Sequence, residues 1–347
     1  MKLALEWSNL AKAGRAGRLT ESQCREVLSD IYEQANGERL HFHTAGGWLR
    51  EWLEGKRAVI APRTSLKYQQ VVTEFIVHVG KRAEAPLTML VQRDVRSFRD
   101  ALSREGHSAS TVNQALKILR SPFNRAHKLG LITANPTAAV ELLPSDTADM
   151  EKDVFSAPQV QALVKAAKGD WKGVIIAGFL TGLRLRDVTE LRWENFDLEA
   201  GLLRVKTRKT GSVVTTPIHV DLADWLHQQT RGIGKAPIFP TLAGRTGGGK
   251  SGLSMAFRRI MERAGVKGRI LRQRKEESAG RTQSSLTFHS LRHSFNSALA
   301  NAGIVQEVRQ RLTGHTDKAM NKRYTHHDLE VLRAAVDVLP SVTAIRK

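Results

Sequence analysis

The sequence predicts a mainly α-helical protein with one small β-hairpin, divided between two domains. Three observations carry this expectation. Apolar residues recur at helical spacing through most of the chain. Only one stretch, GLLRVKTRKTGSVVTTPI, sets two short β-prone runs around a Lys-Thr-Gly turn. The 347 residues, 41% of them apolar, exceed one ordinary domain and are enough to fill two cores.

Residues 1–40 are expected to be a helical appendage. Thr20 with Gln23 makes a capping box ahead of Val27, Leu28, Ile31 and Tyr32, and Gly37 closes that helix. Residues 41–140 follow as an all-helical domain. One helix is expected to start at Thr64, with Leu66, Tyr68, Val71, Val72, Phe75 and Ile76 on one face. Another follows Thr88, with Leu90, Val91, Val95, Phe98 and Leu102. A third begins at Ser110, carries Val112, Leu116, Leu119 and Phe123, and is expected to kink at Pro122. Asn135-Pro136 ends the domain.

Residues 141–155, without periodicity and polar, form the expected linker. Ser156 with Gln159, and Pro158 in the first turn, open the next helix. The second domain spans 156–338, with 339–347 as a tail. Two basic stretches, 243–252 and 271–285, are expected to be loops.

The formal charge of +20 is far more than solubility needs and points to a polyanion, most simply duplex DNA. A membrane surface fits less well, because no apolar run of about 18 residues exists. Cys24 is the only cysteine, so no internal disulfide forms and a reducing, cytoplasmic setting is expected.

Four segments of the second domain carry chemistry. In TGLRLRDVTELRW, Gly182 is expected to end one helix and Arg184 to open the next, where the positive helix start and the guanidinium both favour an anion. Taken alone, Arg184 reads better as a surface arginine paired with Asp187 at i, i+3. Lys209 lies on the hairpin turn. In HSLRHSF, His289 and Arg292 are three apart and share a helical face. LTGH brings His315, and KRYTHHD brings Tyr324, the only one of three tyrosines in this domain.

The order Arg, hairpin Lys, His-x-x-Arg, Gly-His, Tyr resembles the tyrosine recombinase (phage integrase) family. The resemblance covers about 155–338 and implies a DNA-cutting catalytic domain preceded by a core-binding domain at 41–140. It implies that Arg184 and Arg292 clamp the scissile phosphate and that Lys209 is the acid for the leaving group. His289 and His315 would support, Tyr324 would be the nucleophile, and Asp187 would brace the first arginine. It further implies cutting and rejoining through a 3′-phosphotyrosyl link without metal, ATP or other cofactor. The implied partners are specific double-stranded DNA sites, three further copies of the chain in a homotetramer, and accessory DNA-bending proteins. The helical first forty residues depart from the β-rich arm-binding module of many phage integrases. A type IB topoisomerase and a non-catalytic DNA-binding regulator are the alternatives on the same fold.

GRTGGGKS at 244–251 satisfies a phosphate-loop pattern, but only a proline-broken run precedes it, so a flexible basic loop is expected. The His41-Phe42-His43 and His326-His327 pairs lack a second ligand cluster at metal-binding spacing.

Overall fold

The computed structural model describes residues 20–37, 42–144, 153–245, 252–273, 282–314 and 329–343, with a few positions before Thr20. The described residues divide into two compact units, one up to 144 and one from 153 onward.

The first unit is all helical. Helix α1 (Glu21–Asn36) starts at the Thr20–Gln23 capping box and stops at Gly37 in the left-handed conformation. Four helices follow: α2 (Ala45–Arg57), α3 (Pro62–Val79), α4 (Gln92–Arg104) and α5 (Ala109–Lys128). Three starts differ from those expected. Helix α3 begins at Pro62 rather than Thr64, because the ring fixes φ and needs no donor in the first turn. Helix α4 begins after Val91 rather than Thr88, held by the Asp94 carboxylate accepting the Val91 N–H at 2.9 Å. Helix α5 is capped by Ser108, not Ser110, whose hydroxyl accepts the Thr111 N–H. It runs through Pro122 without ending, and the Trp48 indole donates to the Pro122 carbonyl at 3.2 Å. Phe75 lies edge-on to Phe98 and Phe123 at the centre of the core.

The second unit is built round helix α7 (Asp170–Thr181), apolar on every side and buried from Gly173 to Thr181. Helix α6 (Ala157–Ala166) has the Ser156–Gln159 capping box and packs on α7. A three-stranded antiparallel sheet follows the short helix α8 (Leu185–Thr189). Its strands are β1 (Phe196–Asp197), β2 (Leu202–Lys206) and β3 (Val213–Pro217), with Val205 opposite Val214. Helices α9 (Val220–His227) and α10 (Leu253–Arg263) come next.

The stretch expected to be a basic loop from 271 contains a second antiparallel pair, β4 (Ile270–Arg272) with β5 (Gln283–Ser284). It frames α11 (Phe288–Asn301), which lies against α7. Helices α12 (Gln306–Thr313) and α13 (Leu329–Asp337) both pack on β3. Residues past Asp337 continue the packing. Leu339 and Val342 are buried, and Asp221 accepts hydrogen bonds from the Ser341 hydroxyl (2.7 Å) and the Val342 and Thr343 N–H groups. No helix among the described residues is long and apolar enough to cross a membrane.

Candidate active site

Helix α7 ends because Gly182 takes φ +61°, a left-handed conformation that side chains resist. The chain then turns through Leu183, and Arg184 stands as the N-cap of α8 in extended conformation. Its Nη1 is buried and has no hydrogen-bond partner; the Asp187 Oδ2 is 4.0 Å away. A buried guanidinium nitrogen without an acceptor is costly, and an anion bound beside it removes that cost.

Asp187 is 5% exposed. Its Oδ1 accepts the backbone N–H of Arg208 at 3.0 Å, so the carboxylate beside Arg184 also holds the hairpin that bears Lys209. That hairpin closes in register from Leu202–Pro217 to Lys206–Val213, which puts Lys209 at the exposed tip.

His289 and Arg292 come from the first turns of α11, as their spacing predicts. Arg292 is buried, and its fork spans two helix ends. Nη1 donates to the Gly182 carbonyl and Nη2 to the Thr313 carbonyl, both at 2.6 Å. These carbonyls belong to the C-terminal ends of α7 and α12, where helix dipoles are negative. Burial and then Arg184 lower the Arg292 pKa to about 10, against which Asp187 pulls upward.

His289 has its pKa lowered to about 4. Part of the residue faces solvent, yet crowding by protein is the largest cause, followed by the charges of His293, Arg292, Arg184 and Lys209. The ring is therefore neutral at physiological pH and able to accept a proton. His293, one turn later on α11, stands edge-on to it with centroids 4.8 Å apart. HSLRHSF shows this second histidine at i+4, although its contact with His289 follows only once the helix is placed.

The structure thus brings Arg184, Asp187, Lys209, His289 and Arg292 together from three separate segments. His315 and Tyr324 lie outside the described residues. Their neighbour Gly314 is described; it ends α12 at φ +64° against Val214.

Residues 153–330, 178 of 347, match the model of the phage integrase family. The chain belongs to that family. This recombinase is 23% identical over 360 residues to a "Tyrosine recombinase XerC-like" of Caldanaerobacter subterraneus, with 90% of this chain and 86% of the relative covered. It is 27% identical over 291 residues to a XerD of Ralstonia nicotianae, covering 81% and 88%. Among solved structures it is similar to a lambda integrase tetramer bound to a Holliday junction (TM-score 0.58, 19% identity, 88% and 86% covered). It is also similar to the Tn1549 transposon integrase in complex with circular intermediate DNA (TM-score 0.59, 18% identity, 85% and 99% covered). The fold is theirs: mainly helical, with small antiparallel sheets. The protein is a site-specific DNA recombinase of the tyrosine type.

The first unit presents a second candidate surface. Trp48, Trp52, Lys56, Lys117, Arg125 and Lys128, from α2 and α5, line an open groove of about 760 Å³. Arg120 and the carboxylate of Glu51 also line it, so cations predominate, and with the two tryptophans they suit a phosphate backbone. Among the described residues no group of three or more metal-binding side chains occurs, and His43 pairs with Glu51 at 3.4 Å.

Proposed function

We propose that this recombinase cuts one strand of a specific duplex site with Tyr324 and rejoins it to a partner strand. The observation that carries the reading is the orphaned, buried Nη1 of Arg184 beside Arg292 and Lys209. A phosphodiester supplies the missing acceptor, and two guanidinium groups hold the charge that grows as the nucleophile enters.

In the first step the Tyr324 hydroxyl oxygen bonds to phosphorus and its proton passes to neutral His289, with His315 in support. The P–O5′ bond breaks, and Lys209 gives the leaving oxygen its proton. A free tyrosine titrates near pH 10, so ionising it at pH 7 costs roughly 4 kcal/mol; neighbouring cations reduce that cost. The 3′-phosphotyrosine conserves the energy of the broken bond, so attack by a 5′ hydroxyl reverses the step on another strand without ATP.

Domain roles follow the same logic. The helical region 41–140 grips the duplex through its basic groove, the region 156–338 does the chemistry, and 141–155 links them. Four copies acting on two duplexes, as in the lambda integrase tetramer on a Holliday junction, suit strand exchange. Accessory DNA-bending proteins fit that assembly, and a cytoplasmic setting fits the lone cysteine. The relatives reported are recombinases by name, which disfavours the topoisomerase reading. Trapping on a nicked suicide duplex tests the chemistry: wild type forms a covalent adduct and Tyr324→Phe does not. An adduct surviving in the variant refutes the assignment.

A further inference from the structure

A lysine at an exposed hairpin tip is a poor device for placing a proton, because four rotatable bonds and a mobile turn blur its position. Here the turn is fixed from two sides. From inside, Thr207, only 2% exposed, shares a hydrogen bond with the Thr210 hydroxyl at 2.7 Å and donates to the Ser212 carbonyl at 3.2 Å. Its backbone N–H donates to the same Ser212 carbonyl, and its carbonyl accepts the Gly211 N–H, both at 2.9 Å. From α8, Asp187 accepts the Arg208 N–H at 3.0 Å. Residues on both sides of Lys209 are thereby pinned.

The side-chain bonds of Thr207 and Asp187 lie outside the paired strands. The register of β2 and β3 is set by their ladder and by Val205 and Val214 beneath it. Thr207 and Asp187 act beyond the last ladder pair, on the turn alone. Asp187 does so with the same carboxylate that approaches Arg184, so one buried group spans the phosphate-holding and proton-donating halves of the site.

We propose that Thr207 and Asp187 are positioning residues that hold Lys209 over the leaving 5′ oxygen. The inference rests on the reading of Lys209 as the general acid. A substrate whose 5′ bridging oxygen is replaced by sulfur separates the roles, because a thiolate leaves without a proton. Cleavage of nicked duplexes with oxygen or sulfur at that position is measured for wild type, Lys209→Ala, Thr207→Val, Asp187→Ala and Asp187→Asn.

On the oxygen substrate, Thr207→Val and Asp187→Ala are expected to be slower by about tenfold to a hundredfold, part of the 10²–10⁴ that general acid catalysis supplies. On the sulfur substrate Thr207→Val returns to within about threefold of wild type, as Lys209→Ala does, and Asp187→Ala returns to the rate of Asp187→Asn, which likewise lacks the charge beside Arg184. Asp187→Asn keeps an oxygen toward the Arg208 N–H, so any defect it has is equal on both substrates. If Lys209→Ala is not rescued by sulfur, the reading of Lys209 fails, and this inference with it. If Lys209→Ala is rescued while Thr207→Val or Asp187→Ala is unimpaired on oxygen, or Thr207→Val stays slow on sulfur, or Asp187→Ala stays well below Asp187→Asn on sulfur, only this inference falls.

Discussion

Arg292 donates from Nη2 to the Thr313 carbonyl, 2.6 Å away, although 21 positions separate the residues. With its partner bond to Gly182, the side chain ties the helix end before Arg184 to the helix end before His315. Lysine keeps the charge but offers no planar fork to bridge the two carbonyls. Arg292→Lys is therefore expected to slow single-turnover cleavage by about 10²–10³-fold and to lower the melting temperature. Wild-type rates in that variant would show that the fork is dispensable.

His289 gives a signed pH effect. Its folded-state pKa of about 4 lies below the ordinary 6.5, so between these values the unfolded chain binds a proton that the folded chain refuses. Stability is therefore lost as pH falls from 6.5 toward 4. Replacing His289 with Gln removes that loss. The melting-temperature difference, variant minus wild type, is expected to grow more positive from pH 7.5 to pH 5 in the DNA-free protein. A difference independent of pH would mean that His289 titrates normally.

Gly314 combines two constraints. Its φ is +64°, and an added Cβ would lie 2.4 Å from Val214 Cγ2. Gly314→Ala should cost about 2 kcal/mol or more, from left-handed strain and the clash with a stiff β-branched neighbour. Val214→Ala relieves the second part only. A double-mutant cycle by denaturant unfolding is expected to show favourable coupling between the two changes; simple additivity would place the whole cost in the backbone.

The groove of the first unit predicts a salt signature. If Lys117 and Lys128 each neutralise a phosphate, changing both to Ala weakens binding to all duplexes alike. The log–log salt slope then becomes shallower by roughly 0.9 per lost contact. Titrating a specific and an unrelated duplex at several salt concentrations measures this. A loss confined to the specific site would make these lysines base readers instead.

Some of this was legible in the residues and some was not, and distance along the chain decides which. The capping boxes at Thr20 and Ser156 act within one turn, and both appear as expected. His289 and Arg292 share a face because residues three apart on one helix do. Helix starts went astray where several polar residues compete within a few positions, as at Ser108 and Ser110, or where a side chain farther on supplies the cap, as Asp94 does. The pairing of β4 with β5 joins strands of three and two residues across a polar stretch, too short for alternation to show. Arg292's bonds cross 110 and 21 positions, and Asp187's bond to the hairpin crosses 21. No local pattern contains them. Thr207 carried no signal, since a threonine ending a strand is ordinary until its hydroxyl is seen facing inward.

Helices α12 and α13 both rest on β3, one just before residue 315 and the other just after residue 328. β3 is thereby a common footing. Through its ladder with β2 it meets the hairpin that carries Lys209, and through α12 it meets the Thr313 carbonyl that holds Arg292. A displacement of that one strand therefore reaches the cation over the leaving oxygen and the cation on the phosphate together.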